Sequence, residues 1–359
     1  MASSNNDRLD LSTMAQYGRN GIKYGVLILV FYIVARFTWS TGRQLYLSLN
    51  PPGPPPPTMG FKALPQPSFP AQLPDERPTT LTLETVGQRL PAFGTQVAVY
   101  YVPGYEPDLL ALDRAKERAA ALGFLFEPEK VSTAMYRWRQ RTPLPATLEM
   151  NVVNNSFAMQ TDWASSVTLL DKKFIPDERQ AASEMRSLLR SLDLYQVDVA
   201  TASPKVKYLK ALAGETKDAA SISEADFVQA DLYRTIPNNL PSVTHKYGQG
   251  VMRIVFSGSR DAGERILSFD STYYPVLWDK PETYPLQSAR QAWEQLLAGN
   301  GYVTNKGTDV AVVRNVYLAY YEPPLPGAYY QPVFVFEGDN GFQALVPALD
   351  PQVYKAVQE

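Results

Sequence analysis

VAVVRNVYLAYYE (310–322), QPVFVFEG (331–338) and GFQALVPAL (341–349) read as three consecutive β-strands. Each is rich in Val, Tyr or Phe and is bounded by Gly, Pro or Asn. Asp339-Asn340-Gly341, between the second and third, is a strong hairpin signal. Just upstream, QSARQAWEQLLA (287–298) places Ala289, Ala292, Trp293, Leu296 and Leu297 on one stripe and stops at Gly299-Asn300-Gly301. A helix laid on an antiparallel meander predicts the α+β class. Alternation along the first strand turns Tyr317, Ala319 and Tyr321 to one side and Val316, Leu318 and Tyr320 to the other. One set is expected beneath the helix, around Trp293. The opposite set then faces solvent, a second layer or a partner, so Tyr317, Tyr320 and Tyr321 are the candidate partner-binding residues.

The same plan recurs upstream. DERQAASEMRSLLRSL (177–192) predicts a helix with Asp177 as its N-cap, followed by VKYLKALA (206–213), DFVQADLYRTI (226–236), GVMRIVFSG (250–258) and ERILSFDSTYY (264–274). Ser259-Arg260-Asp261-Ala262-Gly263 stands where Asp339-Asn340-Gly341 stands in the later set, which suggests internal duplication. A third amphipathic helix, DLLALDRAKERAAAL (108–122), carries Leu109, Leu112, Ala119 and Leu122 on its apolar stripe. It precedes VSTAMYRW (131–138), ATLEMNVV (146–153) and SFAMQTDW (156–163), the last two joined at a tight Asn154-Asn155 hairpin. The expected organisation is a first α+β domain over 79–175 and a second over 176–359. The second comprises two helix-plus-sheet units, 176–280 and 281–359.

The beginning of the chain is of another kind. YGVLILVFYIVARFTWS (24–40) has one charge, Arg36, after an uninterrupted apolar run from Val26 to Ala35. Continued through Leu49 it reaches the roughly 20 residues needed to cross a bilayer. Tyr24, Trp39 and Tyr46 suit the two interfaces. A polar leader, 1–23, and the lack of an A-x-A-like site favour an uncleaved anchor at 24–49 over a signal peptide. Arg8, Arg19 and Lys23 precede the span and Arg36 and Arg43 follow it, which by the positive-inside rule predicts a cytoplasmic N-terminus. The segment 50–78 then holds 11 of the 30 prolines, six of them in PPGPPPP (51–57). Such a run favours polyproline II and predicts a semi-rigid stalk.

Composition narrows the chemistry. The 359 residues carry 34 Lys+Arg, 36 Asp+Glu, one His and no Cys. A net charge of -2 gives no global pull towards nucleic acid. Without Cys there are no thiolate nucleophiles, disulfides or cysteine zinc sites, and one His forbids a two-His metal site. No phosphate-binding loop, dinucleotide fingerprint or nucleophile elbow occurs. Ser242-Val243-Thr244-His245 places hydroxyls beside the one histidine, but in a loop next to Lys246. Asp270, Asp279 and Glu282 lie near Tyr273, Tyr274, Trp278 and Tyr284, the one local grouping of acids and aromatics that suits a carbohydrate hydrolase. No cofactor or metal is expected.

The helix QSARQAWEQLLAGNGYV, the strand VVRNVYLAYYEP and the hairpin YYQPVFVFEGDNGFQALVPAL resemble the last domain of the YycH/YycI group. The residues that carry the likeness are Val316, Tyr317, Leu318, Tyr320 and Tyr321 on one strand and Pro332, Val333 and Phe334 on the next. The family pattern has Gly-Tyr-Tyr then Pro-Val-Trp; this chain has Ala319 before its Tyr pair and Phe334 in the Trp place. The likeness covers about 75 residues and does not include the proline stalk. It implies PepSY-like repeats in a bacterial, single-pass, membrane-anchored extracytoplasmic regulator that contacts a signalling protein. Together these readings lead to the expectation of a non-catalytic binding or regulatory ectodomain with a protein or cell-envelope partner. The alternative is a membrane-tethered envelope hydrolase using Asp and Glu.

Overall fold

A computed structural model describes residues 11–49, 53, 55–105, 108–166 and 168–355. The first part of the leader, 1–10, and the prolines at 51, 52 and 54 lie outside the described residues. The chain divides into two units, Met1–Pro56 and Pro57–Glu359.

The first unit holds one helix, α1 (Leu11–Leu49), which extends upstream of the expected span. At 1.5 Å per residue it is roughly 58 Å long, well beyond a bilayer core of about 30 Å. Its apolar side chains are exposed, and its best window has a mean hydropathy of 1.6. It is long and apolar enough to be a membrane anchor or a signal sequence. The hydroxyls of Thr38, Ser40 and Ser48 bond to carbonyls within the helix, Thr38 Oγ1 donating to the Val34 carbonyl at 2.7 Å, as a weakly solvating medium requires.

The second unit is α+β. Its first part contains β1 (Thr80–Leu83), β2 (Gln96–Tyr101), α2 (Ala111–Ala121), β3 (Glu129–Lys130), β4 (Met135–Gln140), β5 (Ala146–Asn151) and β6 (Phe157–Thr161). The second part contains α3 (Glu178–Ser191), α4 (Val197–Ala200), β7 (Lys205–Leu212), β8 (Glu215–Asp218), β9 (Phe227–Leu232), β10 (Ser242–Thr244), β11 (Met252–Ser257), α5 (Ala262–Arg265) and β12 (Ile266–Ser271). The third contains β13 (Leu277–Pro285), α6 (Ala289–Leu297), β14 (Tyr302–Asn305), β15 (Val310–Glu322), β16 (Tyr329–Tyr330), β17 (Pro332–Gly338) and β18 (Gln343–Pro347).

Local signals placed these elements well. Asp177 accepts from Gln180 N–H at 2.8 Å and starts α3. Ser288 and Gln291 form a reciprocal cap on α6. The two hairpins turn through left-handed residues, Asn155 at φ 58° and Asn340 at φ 55°. The α2 helix starts later than the apolar stripe of 108–122 suggested. Leu109 precedes the first turn and is fully exposed.

Strand order departs from the expected domains. The nine-stranded sheet runs β3-β4-β5-β6-β12-β11-β9-β7-β8. Two meanders meet at their last strands, Phe269 opposite Met159, so one sheet crosses the expected boundary at 175/176. The α2 and α3 helices share its apolar face, Ala119 and Met185 packing with Leu148, Ile254 and Phe269 in one core. The duplication holds for strand sequence but not for pairing. In the first copy β7 pairs with β9, whereas in the last unit β14 pairs with β18 at the other edge.

The last meander forms a six-stranded sheet, β1-β15-β17-β18-β14, with β10 also beside β15. Its Val316, Leu318, Phe334 and Phe336 face α6 and the half-buried Trp293, as alternation predicts. The opposite face is covered as well. Phe69 stacks at 5.4 Å on Tyr302 and lies 4.8 Å from Tyr321. Leu64 is fully buried in the core of a three-stranded sheet, β13-β2-β16. The segment 57–78 is therefore a strap docked on the domain, where a free stalk was expected. Its prolines keep the backbone extended, and the residues between them reach the sheet. The Leu64 N–H donates to the Val353 carbonyl at 2.9 Å, and the Gln72 side chain both donates to and accepts from the backbone of Val303. That amide caps the exposed edge of β14 as a paired strand would.

Candidate functional site

Alternation on β7 puts Lys205 and Lys207 on one face, and both point along the polar side of the nine-stranded sheet. Across that side charges alternate: Lys205 lies opposite Asp231, Asp231 opposite Arg253, and Arg253 opposite Asp270. On the other half Arg137 is opposite Glu149 and bonded to it at 2.7 Å. Opposite charges set side by side are the stabilising arrangement for a solvated sheet face.

At the start of β7 this face meets the six-stranded sheet and encloses a cleft of about 250 Å³. The loop after β10, which carries Lys246 and Tyr247, forms one wall, and Tyr317, Glu337 and Gln343 form another. The loop is pinned by Asp231, which is buried. Its Oδ1 accepts from Gly250 N–H at 3.0 Å and Arg253 Nε at 2.7 Å, and its Oδ2 accepts from Gln229 Nε2 at 2.6 Å. Glycine is required at 250 because a Cβ there would stand 2.3 Å from the Leu232 carbonyl oxygen.

The acids of the cleft are already engaged. Glu337 Oε1 accepts from the Tyr317 hydroxyl at 2.6 Å and from Gln343 Nε2 at 3.0 Å. Burial, then this carboxylate, push the Tyr317 phenol well above its ordinary value. Burial and Asp231 push Tyr233 up to about 12. The lysines are freer. Lys207 approaches Asp218 at 3.8 Å, whereas Lys205 and Lys246 make no ion pair with any described residue. Lys205 Nζ sits 4.6 Å above the Tyr233 ring.

A second polar cluster is closed to solvent. Arg234, just past β9, is buried with its Nε bonded to Glu322 Oε1 at 2.8 Å and its Nη1 bonded to Asp198. Its Nη2 donates to the Tyr274 carbonyl at 2.9 Å. The Tyr330 hydroxyl donates to Glu322 at 2.7 Å and the Tyr273 hydroxyl to Asp198 at 2.9 Å. Glu322 ends β15 in the six-stranded sheet and Tyr330 lies in the three-stranded one, so this cation ties all three sheets together. Its pKa is raised further: the two carboxylates and the phenols outweigh the desolvation that opposes its charge.

The three candidate tyrosines part company. Tyr320 and Tyr321 are 0% and 2% exposed, so neither can form a partner surface. Tyr320 donates to the Ala98 carbonyl at 2.7 Å and stacks on Tyr330 at 4.9 Å; Tyr321 lies under Phe69 of the strap. The strap and the three-stranded sheet are the cover that alternation could not reveal. Tyr317 alone is half-buried and reaches the cleft. The three acids considered for hydrolysis fall in two sheets. Asp270 is in β12 of the nine-stranded sheet, whereas Asp279 and Glu282 are in β13 of the three-stranded one, with Glu282 accepting from Gly60 N–H at 3.1 Å. His245 has a buried Nδ1 without a hydrogen-bond partner, and burial, then Lys246, hold its pKa below the usual 6.5. Among the described residues no three His, Asp or Glu side chains are grouped to hold a metal ion.

Sequence reasoning passed over Lys205, Lys207, Lys246, Tyr233 and Arg234. The alternating Lys-Val-Lys of β7 was the available signal for an exposed cationic strand face. Arg234 inside the apolar run DLYRTI was the signal for a buried ion pair.

No family model matches the chain, and no curated protein matches it. Among solved structures it is similar to an uncharacterized protein from Eubacterium rectale, at 12% identity over 71% of this chain and 82% of that one, with a TM-score of 0.31. A likeness that low carries no argument about fold or function.

Proposed function

We propose that the protein is a membrane-anchored, extracytoplasmic binding ectodomain without catalytic activity, and that the cleft between its two larger sheets is the binding site. The observation that carries this reading is the state of the cleft's side chains. Its carboxylates are spent on internal hydrogen bonds, Lys205 and Lys246 make no ion pair with a described residue, and Ser242 and Thr244 there bond only backbone groups among the described residues. Asp270 lies in a different sheet from Asp279 and Glu282, and Glu282 is engaged by Gly60 N–H, which gives the hydrolase alternative no support. The apolar, exposed α1 supports membrane anchoring; the bacterial cell membrane follows from the resemblance, and a cytoplasmic 1–23 from the basic residues that precede the span. By resemblance to the YycH/YycI group, the partner is an envelope or signalling protein.

Two measurements test the proposal. Protease added to intact cells should remove the region after residue 56; cleavage only after permeabilisation would reverse the orientation. Tyr317→Ala and Lys246→Ala should weaken partner capture from membranes, whereas His245→Ala and Asp270→Asn should not. A hydrolytic activity abolished by Asp270→Asn, with capture intact in Tyr317→Ala, would overturn the reading.

A further inference from the structure

We infer that the cleft bounded by β7, the loop after β10 and β15 binds a phosphate group. This rests on reading the cleft as a binding site. Lys205 and Lys246 enter it from elements 41 residues apart in sequence and neither makes an ion pair with a described residue. Lys207 adds a third ammonium, held only loosely by Asp218 at 3.8 Å. Three ammoniums line one cleft against the carboxylates of Asp231 and Glu337, which are engaged by Arg253 and Tyr317, and a bound anion relieves the repulsion that remains.

The donors decide which anion. Tyr233 and Tyr247 lie close enough to Tyr317 to bear on its ionisation. Tyr233 and Tyr317 are O–H groups at neutral pH, as ordinary tyrosines are, and burial raises both further. The Tyr317 hydroxyl is committed to Glu337 and the Tyr247 hydroxyl lies by the turn at Gly341, which leaves Tyr233, its ring 4.6 Å from Lys205 Nζ, as the phenol beside an ammonium. A planar carboxylate is best held by the fork of an arginine, but Arg253 is committed to Asp231 and to the Gly248 carbonyl at 2.7 Å. Lysines act as point charges and, with the Tyr233 phenol beside them, suit a tetrahedral phosphate. A cleft of about 250 Å³ admits such a group with a small substituent. Glu337, already engaged by Tyr317 and Gln343, disfavours a ligand carrying a second anion at its wall.

The test uses the full-length chain in a neutral detergent. Inorganic phosphate should raise the thermal midpoint above that in chloride of equal ionic strength, with saturation. The double variant K205Q/K246Q should weaken phosphate at least tenfold and Y233F several-fold, while K210Q, on the other face of β7, should leave binding unchanged. Nanodiscs of phosphatidylglycerol against phosphatidylcholine distinguish the source. Preference for phosphatidylglycerol lost in K205Q/K246Q marks a lipid headgroup, and equal behaviour of the two marks a soluble phosphate compound; either supports the site. Equal midpoints in phosphate and chloride, or undiminished phosphate binding by a folded K205Q/K246Q, would overturn it. That failure would leave the anchored ectodomain standing. Turnover of p-nitrophenyl phosphate by the wild-type chain would instead sink the non-catalytic reading.

Discussion

Leu64→Ala in the full-length chain tests whether the proline-rich segment belongs to the fold. Leu64 is completely buried against the three-stranded sheet, and its backbone is fixed on both sides. Its N–H donates to Val353 and its carbonyl accepts from Lys355 N–H at 2.8 Å, while the Pro65 carbonyl accepts from Gln331 at 2.9 Å. With the backbone held this way the site cannot collapse around a smaller side chain, so the loss is that of a core leucine, about 2–5 kcal/mol. For a unit of this size that lowers the thermal midpoint by roughly 4–15 °C. Thermal unfolding followed by circular dichroism gives the midpoint, and limited proteolysis reports whether the strap has detached. A chain that begins at Thr79 should be destabilised further, because it also loses Phe69 over Tyr302 and Tyr321 and exposes the edge of β14. If Leu64→Ala leaves both the midpoint and the protease resistance of 57–78 unchanged, the strap is a stalk after all and the reasoning fails.

Arg234→Met should cost about 3–5 kcal/mol, because it leaves Glu322 and Asp198 buried without their cation. Denaturant unfolding measures this, and adding Glu322→Gln and Asp198→Asn to the same chain should recover part of the loss. Gly250→Ala should cost about 1–3 kcal/mol or more by forcing the loop away from the Leu232 carbonyl; an unchanged denaturation midpoint would contradict that close approach. His245 gives a pH dependence of known sign. Its folded-state pKa lies below the unfolded 6.5, so the unfolded chain binds the proton more readily. Its contribution is therefore fully present above that value and is lost as pH falls below it. Replacement by Gln should flatten the fall in unfolding free energy between neutral and mildly acidic pH, and an identical slope in both proteins would exclude His245 as its source.

Much of the fold was legible because its signals are local. The caps at Asp177 and Ser288, the asparagine hairpins and the period-two alternation of 316–321 each depend on residues a few positions apart. They determined which side chains share a face and where most helices and strands begin. They left the cover of each face open, since alternation is the same whether a tyrosine meets water, a partner or another layer. Tyr320 and Tyr321 were reasonable candidates for a surface until Tyr330 and Phe69, brought from other sheets and from the strap, closed over them. Strand order was open for a related reason. Backbone hydrogen bonds are alike for any two edges, so nothing in β6 or β12 alone dictates that they meet; the shared burial of Met159 and Phe269 beneath α2 and α3 does. The cleft exists only because that long sheet and the shorter one abut. Lys205, Tyr233, Lys246 and Tyr317 become neighbours there through packing, whereas in sequence they are separate, ordinary residues of strands and a loop.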